Sequence, residues 1–342
     1  MDLINFAGDN LAAVHPKVIE KIIEVNKGSA KAYGDDIYTA RLKLLLNELF
    51  GADIGVFPVF NGTGANTVSL MTLCDFNSMI LTAPLAHITE DECGAVNRMT
   101  GCAIRYAGST PGKVNPDKLE PFLYVKGDVH KSQPGLVSIS QAAETGELYT
   151  VEEIDSIGAF CHKNGLYLHI DGSRLANACA ALGADAGRMT AACDIVSFGG
   201  TKNGLMGAEA LIVRNPDFIS RAAYARKQGM QLASKMRYLS AQLIASLEGG
   251  LWLETATHAN KQMSKLCEYL KERADISFLY KPEINMCFVE MPEALADKLS
   301  EHFYFYIMSK AENKVKARLM TTWQTTDEDV CHFGKYIRDF AG

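Results

Sequence analysis

A lysine and an aspartate follow two apolar segments of the chain, and their side chains could act together. Asp171 follows the apolar run Leu166–Ile170, and Lys202 follows Ile195–Phe198 after a pair of glycines. Each run is typical of a buried strand ending in a polar turn, and such strand ends form the ligand crevice of an α/β sheet. An amine and a carboxylate there suit pyridoxal 5'-phosphate (PLP): the amine forms a Schiff base, and the carboxylate keeps the pyridine nitrogen protonated.

A glycine-rich turn could bind the phosphate of such a cofactor. The run Asn61–Thr67 lies between a predicted strand and a helix that we expect to begin near Ala65. Backbone amides at a helix start, helped by a hydroxyl, form a phosphate site, which here would comprise Gly62, Thr63 and Gly64. A plain strand-to-helix turn explains the run equally well. The dinucleotide fingerprint does not fit, because the third glycine position holds Thr67.

Two histidines are candidates for the same site. His87 follows another predicted strand end and could cover one face of a pyridine ring, although a lone histidine is more often structural. His130, in the run Gly127–Lys131, is the second candidate imidazole. The remaining histidines show no HxH or HExxH spacing, so we predict no metal site.

Three cationic positions could bind anions. Arg174 follows Asp171 by three residues, and its guanidinium suits a carboxylate or a cofactor oxygen. Arg318 begins a predicted strand, and the sequence alone favours a surface arginine over a site residue. The segment Tyr224–Met230, with Lys227, is either a solvated helix face or a basic group that reaches a phosphate or an anionic substrate.

Short apolar strands alternate with helix-length segments over the first two thirds of the 342 residues, which predicts a mainly parallel sheet covered on both faces. Long helices are expected over 217–245 and 251–273, followed by a few strands. We therefore predict a large cofactor-binding α/β domain over 16–250 and a small α+β domain formed by 1–15 and 251–342. The strands expected in the large domain are Val56–Phe60, Met79–Thr82, Ala103–Tyr106, Leu136–Ser140, Leu166–Ile170, Ile195–Phe198 and Ala210–Val213.

Composition excludes several classes of protein. A net charge of -6 without a basic block argues against a nucleic-acid partner. The nine cysteines are scattered without CxxC spacing, as expected of free thiols in a reducing compartment. No apolar stretch approaches the length of a membrane span, so the expectation is a cytoplasmic protein with no membrane partner.

Taken together, the motifs resemble the threonine aldolase and β-eliminating lyase family, PLP-dependent enzymes of the aspartate-aminotransferase fold (fold type I). The resemblance covers nearly the whole chain, and Gly127–His130 with Ser138–Gln141 is similar to the branch of low-specificity threonine aldolases and phenylserine aldolases. The clearest stretches are Tyr33–Asp36 (YGDD), Asn61–Asn66 (NGTGAN), Ala86–Gly94 (AHITEDECG), His169–Arg174 (HIDGSR), Gly200–Gly204 (GTKNG) and Lys235–Gln242 (KMRYLSAQ).

The resemblance implies roles by position. Lys202 would carry the cofactor, Asp171 would pair with its ring nitrogen, and His87 would stack on the ring. Phosphate binding would fall to Gly62, Thr63 and Gly64. The substrate carboxylate would bind Arg174 and Arg318, and His130 would lie near the β-hydroxyl. Lys227 would reach the site from its own or a neighbouring subunit, and Tyr33–Asp36 would lie close to the subunit boundary. A homodimer or homotetramer with shared sites is implied.

One position departs from the pattern. Relatives carry a serine where this chain has Gly8, in the run Phe6–Asn10, so a hydroxyl contact to the substrate carboxylate is missing. Asn10, a water or an amide could replace it. Ala143 likewise stands where the branch tends to have threonine.

The implied activity is retro-aldol cleavage of L-β-hydroxy-α-amino acids, such as L-threonine, L-allo-threonine or phenylserine, to glycine and an aldehyde. We favour His130 as the base for the β-hydroxyl proton, with His87 mainly stacking; His87 and a bound water remain alternatives. Rival readings are β-elimination or transamination on the same scaffold, and a non-catalytic protein that kept the pocket. A nicotinamide dehydrogenase is weaker, because no GxGxxG follows a strand.

Overall fold

A computed structural model describes residues 3–51, 53–108 and 110–340. Its largest sheet has seven strands, and only Glu209–Val213 runs opposite to the other six, so the predicted mainly parallel sheet is confirmed. All seven strands expected from the sequence are present, with ends shifted by up to three residues. In spatial order they are β2 (Gly55–Val59), β8 (Glu209–Val213), β7 (Ile195–Phe198), β6 (Tyr167–Gly172), β5 (Gln133–Ser140), β3 (Ser78–Thr82) and β4 (Ala103–Tyr106).

Helices cover both faces of this sheet. Every residue of β2, β3, β7 and β8 is buried, as expected when apolar strands are packed on both sides. The helices before residue 215 are α1 (Pro16–Val25), α2 (Ile37–Phe50), α3 (Gly62–Leu73), α4 (His87–Glu90), α5 (Ala95–Thr100), α6 (Val151–Lys163), α7 (Leu175–Leu182) and α8 (Ala186–Met189).

Local sequence signals explain where several helices begin and end. The Asp36 carboxylate accepts the amides of Tyr38 and Thr39 and thereby starts α2. The same helix ends at Gly51, whose φ of 70° is left-handed and costs glycine little. Thr150 and Glu153 form a reciprocal capping box at the start of α6.

The prediction of one long helix over 217–245 was wrong. The structure has α9 (Ile219–Gln228) and α10 (Arg237–Leu247), with an irregular segment between them. Met230 there adopts a φ of 60°, which no α-helix accommodates. The segment turns back toward the β2–α3 connection, where Gln231 accepts a hydrogen bond from the Phe60 amide. The second expected helix is confirmed as α11 (Leu251–Lys271).

A second body packs beside the large sheet. It contains the antiparallel sheet β12 (Tyr306–Ala311), β13 (Lys314–Met320), β10 (Met286–Pro292) and β9 (Ser277–Phe278), together with α12 (Glu293–Ser300) and α13 (Asp327–Asp339). Near the chain start, β1 (Ile4–Asn5) pairs with β11 (Phe303–Tyr304), and Phe6 joins the apolar core of this body. The expected division into two domains stays a prediction. No described helix is long and apolar enough to cross a membrane.

Candidate active site

The carboxyl ends of the parallel strands meet at one cavity of about 300 Å³. Asp171 is the second-to-last residue of β6, and Lys202 lies in the glycine-flanked turn that follows β7. Both side chains line the cavity, as the strand-end argument led us to expect. The other residues that line it are Asn10, Asn61, Gly62, Thr63, Asn66, His87, Asp91, Ser173, Thr201 and Glu209.

Lys202 is held in an environment that disfavours its charged form. Burial and the nearby Arg174 guanidinium lower the pKa of Lys202, against the opposing effect of Asp9, Asp171 and Glu209. A lowered pKa increases the neutral fraction of the amine, which is the form that attacks a carbonyl carbon. The lysine is therefore suited to act as a nucleophile.

Glu209, the first residue of β8, fixes the turn that carries Lys202. Its carboxylate accepts the Gly200 amide at 2.5 Å and the Thr201 amide at 3.4 Å. Burial raises the pKa of Glu209 to about 7 despite these hydrogen bonds. The sequence analysis missed this residue, because the strand beginning with Glu209 reads as one more buried strand.

Asp171 belongs to a chain of hydrogen bonds that ends at His87. The Nδ2 group of Asn66 donates to Asp171 at 2.7 Å and to Glu92 at 2.9 Å, and Glu92 is 2.9 Å from Nδ1 of His87. Burial alone would raise the pKa of Asp171, but the Lys202 charge and the hydrogen bonds from Asn66 and the Ser173 amide hold it below its usual value. Asp171 thus stays ionised, as a partner for a protonated ring nitrogen must.

The Glu92 carboxylate determines the state of His87. Their hydrogen bond raises the pKa of His87, against the effect of burial, and Asp171 adds to the increase. Glu92 is fully buried, and burial raises its pKa in turn. A ring nitrogen of His87 and carboxylate oxygens of Glu92 and Asp171, atoms that could bind a metal ion, lie within 4.8 Å of one another. The hydrogen bonds that link these side chains through Asn66 account for the grouping.

Two arginines converge at the other end of the site. Arg174 forms a bidentate pair with the buried Asp9, at 2.8 and 3.0 Å. Arg318 donates to the Ala7 carbonyl at 3.2 Å and lies over the Tyr306 ring, while its buried Nε has no partner among the described residues. Burial and Arg174 both lower the pKa of Arg318. Two cations against one carboxylate leave one positive charge, which suits a substrate carboxylate and argues against a surface role for Arg318.

The glycine-rich turn starts α3 at Gly62, three residues earlier than expected. Asn61 accepts the Gly64 amide at 2.7 Å, while Gly62 and Thr63 line the cavity. Gly64 is absent from the lining; a Cβ there would overlap the side chain of Gln231. In the structure the Gly64 amide is taken up by Asn61 and its lack of a side chain makes room for Gln231, so the phosphate role expected of the turn rests on Gly62 and Thr63.

Five expected site residues are absent from the cavity lining: Gly64, Arg174 and Arg318, described above, and His130 and Lys227. His130 precedes β5, whereas Ser140, at the end of that strand, pairs with Asp171. A strand of eight residues spans roughly 25 Å, so the exposed His130 lies at the opposite edge of the sheet, and its expected position near the β-hydroxyl is wrong within one chain. Lys227 is exposed near the end of α9, with its ammonium 5.2 Å from the centre of the Tyr33 ring.

Gly8 adopts an extended backbone conformation with φ of -177°. A Cβ built on Gly8 would have its nearest neighbours, Nη2 of Arg318 and the Asn10 amide, 4.0 Å away. The position therefore has room for a side chain beside the arginine pair. Asn10 lines the cavity itself, which keeps it available as a substitute contact.

The cavity fits PLP on its own chemistry. It combines a carboxylate whose pKa is held low, an amine of lowered pKa, and backbone amides at a helix start. Its size lies at the lower end of the range for small-molecule sites. Sheet order, strand-end site and second body define the class: an α/β protein of the aspartate-aminotransferase fold, fold type I, with a lysine-centred site.

Comparison with known proteins identifies the family. Residues 5–294 match the model of the beta-eliminating lyase family, and the chain belongs to that family. It is 35% identical to a low specificity L-threonine aldolase of Pseudomonas aeruginosa, with 98% of each chain covered, and 36% identical to one of a Pseudomonas species, with 97% and 96% covered. A threonine aldolase of Leishmania major superposes with a TM-score of 0.93 at 27% identity, covering 98% of each chain. A NifS-like protein of Rickettsia africae, 17% identical, shares the fold with a TM-score of 0.74 over 99% of this chain and all of that one.

Proposed function

We propose that this protein is an aldehyde-lyase that cleaves L-β-hydroxy-α-amino acids, such as L-threonine, L-allo-threonine or phenylserine, to glycine and an aldehyde, with PLP as cofactor. The observation that carries the proposal is that Lys202 and Asp171 line one cavity, with Arg174 close enough to lower the pKa of Lys202 and Arg318 close to Arg174. The names of relatives that cover the whole chain support the same reaction.

The cofactor would be held by residues that already surround the cavity. Lys202 would bind its aldehyde carbon, Asp171 its ring nitrogen, His87 one ring face, and Gly62 and Thr63 its phosphate. When bound, PLP supplies an electron sink for the pair released as Cα–Cβ breaks. An ionised Asp171 favours this chemistry because it keeps a positive charge on the ring nitrogen.

The substrate would be oriented by its carboxylate. Arg174 is fixed by Asp9, so its guanidinium presents a rigid edge, and Arg318 adds the charge that Asp9 does not balance. A carboxylate bound between them would hold the substrate near Lys202, whose pKa the Arg174 charge already lowers. Correct orientation of the bond to be broken accounts for much of the catalysis in such a site.

The base for the β-hydroxyl proton has to be reconsidered. His87 is the imidazole that lines this cavity, and Glu92 can accept a hydrogen bond from the Nδ1 group of His87. We therefore assign proton transfer to His87 within one chain. A role for His130 requires an assembly in which a neighbouring protomer brings it to this site.

We also propose a homodimer or homotetramer with sites near the boundary between protomers. Apolar side chains that a monomer leaves in water support this: Tyr33, Ile37, Met206 and Met230 are 52 to 79% exposed. All nine cysteines are free, which supports a reducing, cytoplasmic location.

The test is product analysis with the cofactor-loaded protein on L-threonine, L-allo-threonine and L-phenylserine. We expect equal amounts of glycine and the matching aldehyde, with absorbance from lysine-bound cofactor. Pyruvate with ammonia would instead indicate β-elimination, and a dependence on an added keto acid would indicate transamination.

A further inference from the structure

The irregular segment between α9 and α10 packs against the glycine-rich turn. Oε1 of Gln231 accepts the Phe60 amide at 3.0 Å, immediately before the turn. Its side-chain amide also occupies the space that a Cβ on Gly64 would need. Gln231 therefore lies against Phe60 and Gly64 at the start of α3, the turn whose residues Gly62 and Thr63 line the cavity.

This hydrogen bond fixes the orientation of the Gln231 amide. Because the Phe60 amide is a donor, the oxygen of Gln231 must face it and the amino group must face away. The Nε2 group of Gln231 has no hydrogen-bond acceptor within the described part of the chain. A donor beside a helix start is thus available to an anion.

Arg226, five residues earlier on α9, is a buried cation without a matching anion. It is 8% exposed, its guanidinium lies 5.2 Å from the centre of the Phe57 ring, and its one hydrogen bond is to the Pro58 carbonyl at 3.4 Å. Among the described residues its buried Nε has no partner, and no carboxylate forms an ion pair with it. Burial lowers the pKa of Arg226 to about 10. An unpaired buried charge destabilises a protein, so a ligand is the natural reason to retain it.

We propose that Gln231 and Arg226 complete a phosphate-binding site with the backbone amides of Gly62 and Thr63. Nε2 of Gln231 donates a hydrogen bond to a phosphate oxygen, and Arg226 supplies positive potential behind the turn. A phosphate monoester carries nearly two negative charges, and a helix start provides only about half a positive charge. The inference deepens the proposed function, since it assumes that the phosphate belongs to PLP. It assigns to Gln231 and Arg226 the anion contact first expected of Lys227.

The test separates phosphate recognition from the rest of cofactor binding. The full-length protein, freed of cofactor, is titrated with PLP and with pyridoxal, which lacks the phosphate, and the two dissociation constants are compared. Gln231→Glu should raise the dissociation constant of PLP by roughly 10- to 100-fold, the range for one hydrogen bond to a charged group. The dissociation constant of pyridoxal should stay unchanged. Gln228→Glu is the matched control: it places the same charge on the exposed last residue of α9 and should change neither constant.

Arg226→Met provides a second, independent measurement. Replacing an unpaired buried cation with an apolar side chain of similar size should keep or raise the melting temperature of the cofactor-free protein, while PLP binding weakens and pyridoxal binding does not. An arginine with a purely structural role would show the reverse: a lower melting temperature and an unchanged ratio of the two constants.

The proposal is overturned if Gln231→Glu weakens the binding of PLP and of pyridoxal equally, or weakens the binding of neither. It is also overturned if the wild-type protein does not bind PLP more tightly than pyridoxal. These outcomes are distinct from a failure of the reaction assignment. In that case the wild-type protein would bind PLP with the expected preference but release no glycine.

Discussion

Asn66 donates its Nδ2 group to the Asp171 carboxylate at 2.7 Å, and both side chains are buried. The same Nδ2 group reaches Glu92 at 2.9 Å, so one amide separates two buried acids. Asp171 is the residue proposed to hold the ring nitrogen, and the Asn66 hydrogen bond adds to the Lys202 charge in keeping its pKa below the usual value.

The first prediction concerns this amide. Asn66→Ala leaves two buried carboxylates without their shared donor, so the cofactor-free protein should lose about 1–3 kcal/mol of unfolding free energy in urea denaturation. The double variant with Asp171→Asn is the control. If the two changes destabilise additively, Asn66 does not act through Asp171.

The second prediction tests the Schiff-base lysine. Lys202→Ala should abolish both turnover and the absorbance of lysine-bound cofactor, because no other amine lines the cavity within the described residues. Lys261→Ala removes an exposed lysine of α11 and should retain both signals. A coloured and active Lys202→Ala protein would end the cofactor assignment.

The third prediction follows from the His87–Glu92 pair. In the folded protein both pKa values lie above their ordinary values of 6.5 and 4.5, so the folded state binds these protons more tightly than the unfolded state. Folding stability from His87 is therefore complete below pH 6.5 and is lost as the pH rises through the raised pKa.

Glu92→Gln should remove this dependence by lowering the pKa of His87. Urea denaturation from about pH 5.5 to 8.5, with histidine NMR titration of the cofactor-free protein, would measure both quantities. Glu90→Gln removes an exposed charge from the same segment and should leave the His87 titration unchanged. An unaltered His87 titration in Glu92→Gln would show that the carboxylate does not set its charge.

The fourth prediction concerns the unbalanced arginine. Arg318→Ala should raise KM for L-threonine by roughly 10- to 100-fold, since a hydrogen bond to a charged group is lost, with a smaller effect on kcat. Lys316→Ala, which removes an exposed cation from the same strand, should leave KM unchanged. A loss confined to kcat would move Arg318 from substrate binding to another role.

The sequence predicted the parts of the site that depend on position along a strand. Parallel strands bring their carboxyl ends to one edge of the sheet, and Lys202, Asp171 and His87 all lie at or just after such strand ends. His130 had the opposite signal, since it precedes a strand, and that order alone indicates the far edge. The prediction of one helix over 217–245 failed because the residues on both sides of Gly229 favour helix, while tertiary contacts of Gln231 impose the turn between α9 and α10.

Residues that act through contacts between distant segments could not be predicted. Glu92 lies five positions after His87 within a stretch already noted for the family resemblance, yet nothing local distinguishes it from the exposed Glu90 and Asp91. Glu209 and Arg226 become informative only through burial: one carboxylate holds a turn, and one guanidinium has no counter-ion. Pairing and desolvation of charge are properties of the fold, so a single sequence does not reveal them.

The last prediction concerns Gly8. The backbone there is extended, and a new Cβ would lie 4.0 Å from Nη2 of Arg318, so serine fits without strain. Gly8→Ser should lower KM for L-threonine several-fold, because its hydroxyl adds a hydrogen bond to the substrate carboxylate that Arg318 is proposed to hold. Gly8→Ala adds the Cβ alone and should leave KM unchanged. If alanine and serine act alike, the effect is steric, and the cavity already satisfies the carboxylate by another contact, for which Asn10 is the nearest candidate.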